Sequence, residues 1–395
     1  MRHRELISDA ARTSAARVTR RQALALVAAG LTSPALAHAS ARPIHLRSHE
    51  SLPSAVMTIL KRVLAQPPSS LNTDWFGTMT LLGALLWCRR GITDVEPFAN
   101  AWLTHHLATT EVALYSGNRS RTVRAGGIPL TTYAGHFGMS LVCEQVVQQF
   151  RDERARRVAE DVAAIVLHRT ARNELGLVGH DDSADFAIPD VTFLAVSALM
   201  IGAALDVQNS AAFREQALYQ LRTAIDTFLM KDTGLARTLY RNGRVGKTYW
   251  TRASGWLLWA TTAMLRRLES NHSTFDRFVS DLRLLVDGMC RVQAANGGFH
   301  VLLDDPTTPL DTSGPAMFAL GVHESVRLGW LPERYGAAAE RAWNFVSANL
   351  TDDGVLRNTY ALWALPAENR ELTVSDAASG WPIGFVLAAA AEMTL

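Results

Sequence analysis

The chain has 395 residues and a mass of 43.2 kDa, with 48% hydrophobic residues, 19% charged residues and a mean hydropathy of +0.04. That composition excludes a disordered tail protein and supplies enough apolar side chain for either one large closed architecture or two to three small domains. The formal charge of +2 becomes −2 once the six arginines and two acids before Arg42 are set aside, which leaves no electrostatic footprint for a nucleic-acid partner.

The first segment reads as an address. Arg2, Arg4, Arg12, Arg17, Arg20 and Arg21 precede an uncharged stretch from Gln22 to Leu36, and small residues follow at Ala35, Ala37 and Ala39. This is the layout of a signal peptide, and Thr19-Arg20-Arg21-Gln22-Ala23-Leu24 resembles the twin-arginine export signal. The expectation is a leader over residues 1–41, a single catalytic domain over residues 42–395, and a bacterial periplasmic or secreted protein without a membrane anchor after processing. The competing reading is a basic amphipathic start of a cytoplasmic protein.

From Ser51 onward helix follows helix, and no run of alternating Val, Ile and Thr is bounded by hairpin turns, so an all-α protein is predicted. The helices are of two kinds. Leu52 to Ala65, Pro97 to Thr109, Asp152 to His168, Ala211 to Phe228, Phe275 to Ala294 and Tyr335 to Leu350 are one-sided and charged. Phe76 to Trp87, Phe137 to Val147, Val191 to Leu205, Trp256 to Leu265, Gly314 to Val322 and Ile383 to Ala391 are nearly uncharged and need burial on every side. Six outer and six inner helices in strict alternation predict an (α/α)6 barrel; an open solenoid of stacked hairpins also fits the alternation, but no short consensus repeat is visible. The longest uncharged run, 15 residues between Asp190 and Asp206, is too short to span a membrane.

The connections are unequal. Inner-to-outer links such as Asp206 to Ser210, Ser270 to Thr274 and Gly329 to Arg334 are short. Outer-to-inner links are long: Tyr115 to Tyr133, Thr170 to Pro189, Lys231 to Trp250, Asn296 to Thr312 and Thr351 to Ala378. Loops of that length in a compact domain usually carry function, and all of these enter the N-terminal ends of inner helices. One end of the barrel therefore gathers the loops and six converging helix dipoles, a place suited to an anion.

Candidate residues cluster at those entries. Trp250-Thr251-Arg252-Ala253-Ser254-Gly255-Trp256 leads from a long loop into an inner helix, with Ser254 as its expected cap. Indoles stack on sugar rings, and a guanidinium grips a carboxylate with paired hydrogen bonds; a tryptophan-rich core with a structural arginine is the plainer alternative. Asp190 opens the most apolar helix, where desolvation raises a carboxyl pKa while the helix dipole lowers it; it is either a proton donor poised near neutrality or a helix cap. His180 and His136, with Tyr133 beside the latter, stand before inner helices in the same way, and each could equally be a loop histidine making one hydrogen bond. Cys88, Cys143 and Cys290 each lie in apolar stretches and read as core thiols. With no metal-ligand spacing and no nucleotide-binding glycine pattern, neither a metal nor a cofactor is expected.

Four stretches in this order resemble the unsaturated glucuronyl and rhamnogalacturonyl hydrolases of glycoside hydrolase families 88 and 105: Ile188 to Asp206, the W-x-R-x-x-x-W of Trp250, Arg252 and Trp256, Thr312 to Phe318, and Gly384 to Met393. The resemblance runs from about Trp75 to Met393. It implies a six-hairpin (α/α)6 barrel and removal of the 4,5-unsaturated uronic acid that polysaccharide lyases leave at a non-reducing end, by hydration of the double bond. It further implies that Asp190 protonates C4 and helps water add at C5, that His180 is a second catalytic residue, that Arg252 binds near the sugar carboxylate, and that the indoles of Trp250 and Trp256 stack. Tyr133 stands at or near the place of the family's other aspartate, and no histidine lies between Lys231 and Tyr249, where the family has one. Two other readings stay open: a polysaccharide lyase with Tyr133, His136 or Tyr249 as base and Arg252 as the cation, and a carbohydrate-binding barrel without activity.

Overall fold

In the computed structural model the described residues are 52–112, 119–360 and 372–393; the expected leader over residues 1–41 lies outside them. Twelve α-helices occur among the described residues. The outer set is α1 (Leu52–Ala65), α3 (Val95–Ala108), α5 (Glu153–His168), α7 (Ser210–Phe228), α9 (Phe275–Val292) and α11 (Gly336–Ala348). The inner set is α2 (Trp75–Leu85), α4 (Gly138–Phe150), α6 (Pro189–Leu205), α8 (Thr251–Leu265), α10 (Ser313–Arg327) and α12 (Trp381–Met393).

Residue chemistry decides which helix goes where. α5 starts at Asp152, whose carboxylate accepts the Arg154 N–H, and buries Ala155, Val158, Ala159, Val162, Ala163 and Val166 on one stripe while arginines face water. α6 has Pro189 in its first turn, where a missing N–H does no harm, and is buried all round from Val191 to Ala203. Each inner helix packs on the next: α2 on α4, α4 on α6, α6 on α8, α8 on α10, α10 on α12, and α12 back on α2. The ring is closed, so the chain forms an (α/α)6 barrel. The closing contact depends on two glycines, since a Cβ on Gly83 would lie 2.4 Å from the Gly384 carbonyl oxygen. That is closer than any side chain allows.

The long loops hold short hairpins that the expectation of an all-α chain did not include. β1 (Thr122–Ala125) pairs antiparallel with β2 (Ile128–Thr131) around Gly126 and Gly127, both at positive φ. β3 (Phe186–Ala187) pairs with β4 (Tyr240–Arg241), which pairs with β5 (Arg244–Val245) across Asn242 and Gly243. β6 (Phe299–His300) with β7 (Leu310–Asp311), and β8 (Leu356–Thr359) with β9 (Ser375–Ala377), complete the set. Two- to four-residue strands offer too little alternation to show in a sequence. Glycine-containing turns were the available signal for two of these hairpins.

Cys143 is buried and Cys88 and Cys290 are half-buried; all three are free thiols, and burial pushes the thiols of Cys88 and Cys290 up to about 11. No helix among the described residues is long and apolar enough to cross a membrane.

Candidate active site

The N-terminal ends of the inner helices enclose a cavity of about 180 Å³. Trp75 enters it from α2; Tyr133, Ala134 and Gly135 from the turn before α4; Asp190, Val191 and Leu194 from α6; Trp250, Arg252 and Trp256 from α8; and His180, Phe186 and Ile188 from the loop before α6. Six of the seven residues singled out from the sequence therefore share one space: Asp190, His180, Trp250, Arg252, Trp256 and Tyr133.

His136 is not among the residues that line it. The chain passes through a tight turn at Ala134–Phe137 before α4, and this turns the imidazole away from the cavity and buries it. Its Nδ1 donates to the Thr73 carbonyl oxygen at 3.2 Å, and burial holds its pKa down at about 4. It is a neutral core histidine packed edge-on to Tyr133. Ser254 is not the cap of α8 either. The helix begins three residues earlier, and the Ser254 hydroxyl accepts the Ala236 N–H from the preceding loop.

Asp190 occupies the second position of α6, behind Pro189. Its Oδ1 accepts the Val191 N–H at 2.8 Å, and the apolar walls around it raise its pKa to about 6 against the pull of that bond and of Arg252. Desolvation wins over the helix terminus. Asp190 is therefore not the cap of α6: the N-cap is Ile188, which makes no side-chain cap bond, and the Asp190 carboxylate accepts an N–H of its own first turn while it borders the cavity.

Arg252 is fully buried, and burial lowers its pKa to about 10 while Asp311, Tyr360 and Asp190 draw it back up. It remains cationic near neutrality. Its guanidinium carbon lies 4.0 Å from the Trp250 ring centroid, 4.4 Å from that of Trp381 and 5.6 Å from that of Tyr360. Stacking between aromatic faces fixes the plane of the fork. Nη1 donates to the Ser313 hydroxyl at 3.3 Å and to the Tyr360 carbonyl.

Behind it stands a residue the sequence reading passed over. Asp311, at the end of β7, has no exposed surface and accepts from the Ser313 hydroxyl at 2.5 Å, the Ser313 N–H at 3.1 Å, the Gly314 N–H at 3.1 Å and the Tyr360 N–H at 2.8 Å. Asp311 thus holds both groups that accept from Arg252 and exerts the largest electrostatic pull on its charge. An aspartate two residues before a small-residue helix start was the available signal. Trp381, Phe186 and Tyr360 were missed too, because aromatic residues in loops and helix starts carry no periodic mark.

His180 stands at the cavity edge, its ring stacked on Phe186 at 5.1 Å and edge-on to Tyr133 at 5.0 Å. Burial lowers its pKa, so it faces the cavity as a neutral imidazole. Its loop is tied down: the Arg121 guanidinium meets Asp182 at 2.8 Å, and the Ala134 N–H donates to the His180 carbonyl at 3.0 Å. Trp256 lies against Phe193 at 5.2 Å and Phe385 at 5.3 Å, so it serves the core as well as the cavity. Taken together, an aromatic pit holds one carboxyl with a raised pKa and one oriented cation, a set able to protonate a substrate whose own carboxylate is gripped.

Comparison with known proteins gives the same direction. A possible GH105 family member from Klebsiella pneumoniae superposes with a TM-score of 0.73 at 18% identity, covering 89% of this chain and 94% of that one. A protein named as a polysaccharide lyase gives a TM-score of 0.65 at 17% identity, covering 87% and 97%. Likeness at these identities concerns the fold alone. Among curated proteins, the unsaturated rhamnogalacturonyl hydrolase YesR of Bacillus subtilis is 26% identical over 184 residues, which is 45% of this chain and 54% of YesR, so the chain spans about half the length of the relative it matches. The model of Glycosyl Hydrolase Family 88 matches residues 122–394. That match takes in the loop and helix starts bearing Asp190, Arg252 and Asp311, and the chain belongs to Glycosyl Hydrolase Family 88.

Proposed function

We propose that this glycoside hydrolase removes a 4,5-unsaturated uronic acid from the non-reducing end of lyase-generated oligosaccharides by hydrating the double bond. The observation that carries the reading is Asp190, a carboxyl with a pKa raised to about 6, in one aromatic cavity with the buried Arg252. In the 4,5-unsaturated uronate the C4=C5 bond is an enol ether, with the ring oxygen and the carboxylate both on C5. The Asp190 carboxyl transfers its proton to C4, and the positive charge that develops at C5 is shared with the ring oxygen. Water adds at C5 and gives up a proton to the Asp190 carboxylate, which returns the acid to its starting state. The resulting hemiketal opens, and the saccharide on C1 leaves.

Each neighbour has a part in this. Arg252 holds the carboxylate of C5, its plane fixed by Trp250 and Trp381. The indoles of Trp75, Trp250 and Trp256 offer faces for the flat unsaturated ring. His180, neutral and next to Tyr133, is placed to orient the water. The resemblance puts Tyr133 at or near the place of the family's second aspartate, so no second carboxylate is assigned to this reaction. Asp190 then acts alone as acid and as base.

The test is a panel of lyase-digested pectin, ulvan, glycosaminoglycan and arabinogalactan fragments, followed by the ultraviolet absorbance of the conjugated uronate. Loss of absorbance with release of saccharide supports hydration; no loss on any member overturns the reading. A second reading, β-elimination, is favoured by the presence of Tyr133 in the cavity beside Arg252, a possible base and a cation. It predicts the reverse signal, rising absorbance on an intact uronate polymer. Binding of the fragments without any change in absorbance would instead indicate a carbohydrate-binding barrel without activity. We also infer from residues 1–41 that the protein is exported to the periplasm or medium and cut near Ala37 or Ala39. N-terminal sequencing of the protein recovered from a periplasmic fraction tests this, and a full-length cytoplasmic product overturns it.

A further inference from the structure

The hairpin beside the cavity has an arrangement that the reaction does not use. β4 and β5 turn through Asn242 and Gly243, both at positive φ, and place Arg241 directly opposite Arg244. On the other side of β4, Arg241 lies opposite Phe186 of β3. Residues directly opposite one another on neighbouring strands project from the same face of a sheet. Phe186, Arg241 and Arg244 therefore form one row, running from the cavity wall outward to solvent. The Arg241 guanidinium carbon is 4.8 Å from the Phe186 ring centroid, and Phe186 lines the cavity.

Like charges directly opposite on a strand pair are unfavourable, and an ordinary hairpin avoids them. Here nothing on the hairpin offsets them. From Arg237 to Tyr249 the chain carries Arg237, Arg241, Arg244 and Lys247 and no acid. Glu174 holds the turn of this hairpin, accepting the Gly243 N–H at 3.0 Å and the Tyr240 hydroxyl. Among the described residues neither Arg241 nor Arg244 has an ion pair within 4.0 Å, and both are exposed. Two guanidinium groups on one face of a hairpin, neither engaged in an ion pair, can together grip a tetrahedral or planar anion.

We propose that Arg241 and Arg244 bind an anionic substituent, a sulfate ester or a carboxylate, on the sugar that follows the unsaturated uronate. This rests on the hydrolase reading above and deepens it by naming the class of the leaving saccharide. The cavity accepts one ring, so the next sugar lies outside it, and Phe186 joins the cavity wall to the arginine pair. A neutral leaving sugar such as rhamnose gains nothing from the row, whereas a charged one completes it.

Binding without turnover separates the two claims. Asp190→Asn protein is titrated by calorimetry with three unsaturated disaccharides, one with an unsubstituted neutral second sugar, its O-sulfated form, and one with a second uronate. The expected result is tighter binding of the sulfated or the carboxylated member, by roughly threefold to tenfold for two exposed ion pairs, and a steep loss of that preference in added salt. Preference for one charged member identifies whether sulfate or carboxylate is the partner. Introducing Arg241→Gln or Arg244→Gln should bring the charged-to-neutral ratio close to one, with Arg244→Lys restoring part of it. The Arg244→Gln melting temperature should equal or exceed that of the parent, since the variant relieves repulsion. Equal affinity across the panel, or a preference that survives both glutamine substitutions, overturns the role of the arginine pair. Absence of turnover by the unsubstituted enzyme on every member overturns the hydrolase reading, and the affinities still decide the role of the pair.

Discussion

The two ends of the barrel use the same residue types to opposite ends. At the C-terminal ends of the inner helices, Arg267 meets Glu144 at 2.5 Å, Arg266 pairs with Glu324, Arg89 donates to Gln145 at 2.7 Å, and Arg90 donates to the Ala391 carbonyl at 2.7 Å. Cations there face helix carbonyls and carboxylates, and every charge named is answered within the fold. At the N-terminal ends, Asp190 and Arg252 are just as deeply set, yet both border an open cavity. Burial alone does not mark a site; a buried charge with its remaining bonding capacity directed into a cavity does.

The strongest way to break this comparison is at the carboxyl itself. Asp190→Asn should lower kcat by at least about 100-fold, the lower end for loss of a general acid, with the far-ultraviolet circular dichroism unchanged. An active variant would leave the two ends chemically equivalent. Next in size is Asp311→Asn, which removes the charge behind Arg252. Because Asp311 acts through Arg252, the expected effect is a rise in KM of about tenfold with a smaller change in kcat, accompanied by a drop in melting temperature, since the amide weakens the four hydrogen bonds that the buried carboxylate accepts. A change in melting temperature with unaltered KM would make Asp311 a structural residue alone. Glu144→Gln, at the opposite end, sharpens the contrast: the melting temperature should fall, and kcat measured below the transition should stay within about twofold of the parent. If kcat falls as far as in Asp311→Asn, the division of labour between the ends is wrong.

How much of this was readable without coordinates follows from periodicity and position. The inner helices announced themselves because Val191 to Leu205 and Gly384 to Ala391 lack any charge to turn toward water, and alternation with one-sided helices implied the ring. Asp190 and Arg252 were visible because a charge at the mouth of an apolar helix is conspicuous. Asp311 was not, since its role lies in bonds to Ser313, Gly314 and Tyr360 that bring together chain segments some fifty residues apart. His136 stands one residue before the apolar stretch that opens at Phe137 and His180 ten residues before Asp190, so both precede inner helices and neither spacing tells core from site. Only the tight turn at Ala134–Phe137 decides that one ring meets Thr73 and the other meets the cavity, and a four-residue turn leaves no pattern to read. The Arg241–Arg244 pair needed the register of a hairpin whose strands are two residues long.

The smallest effect tests whether Asp190 is held as an acid by its surroundings. Burial gives it a folded pKa of about 6 against an ordinary value of 3.8, so the folded state takes up a proton over that window. Below about pH 3.8 both folded and unfolded chains carry the proton and the site is at ease. As pH rises through 6 the folded protein must hold a carboxylate that its apolar walls disfavour, and the stability associated with the protonated form is lost. Asp190→Asn keeps the shape and never ionises. Its melting temperature should therefore exceed that of the parent near pH 8, and the difference should shrink toward pH 4. In the active enzyme the same ionisation appears as a kcat that falls as pH rises past about 6. A variant that is less stable than the parent at pH 8 would mean that Arg252 and the helix start outweigh burial, leaving Asp190 a permanent anion with no proton to give.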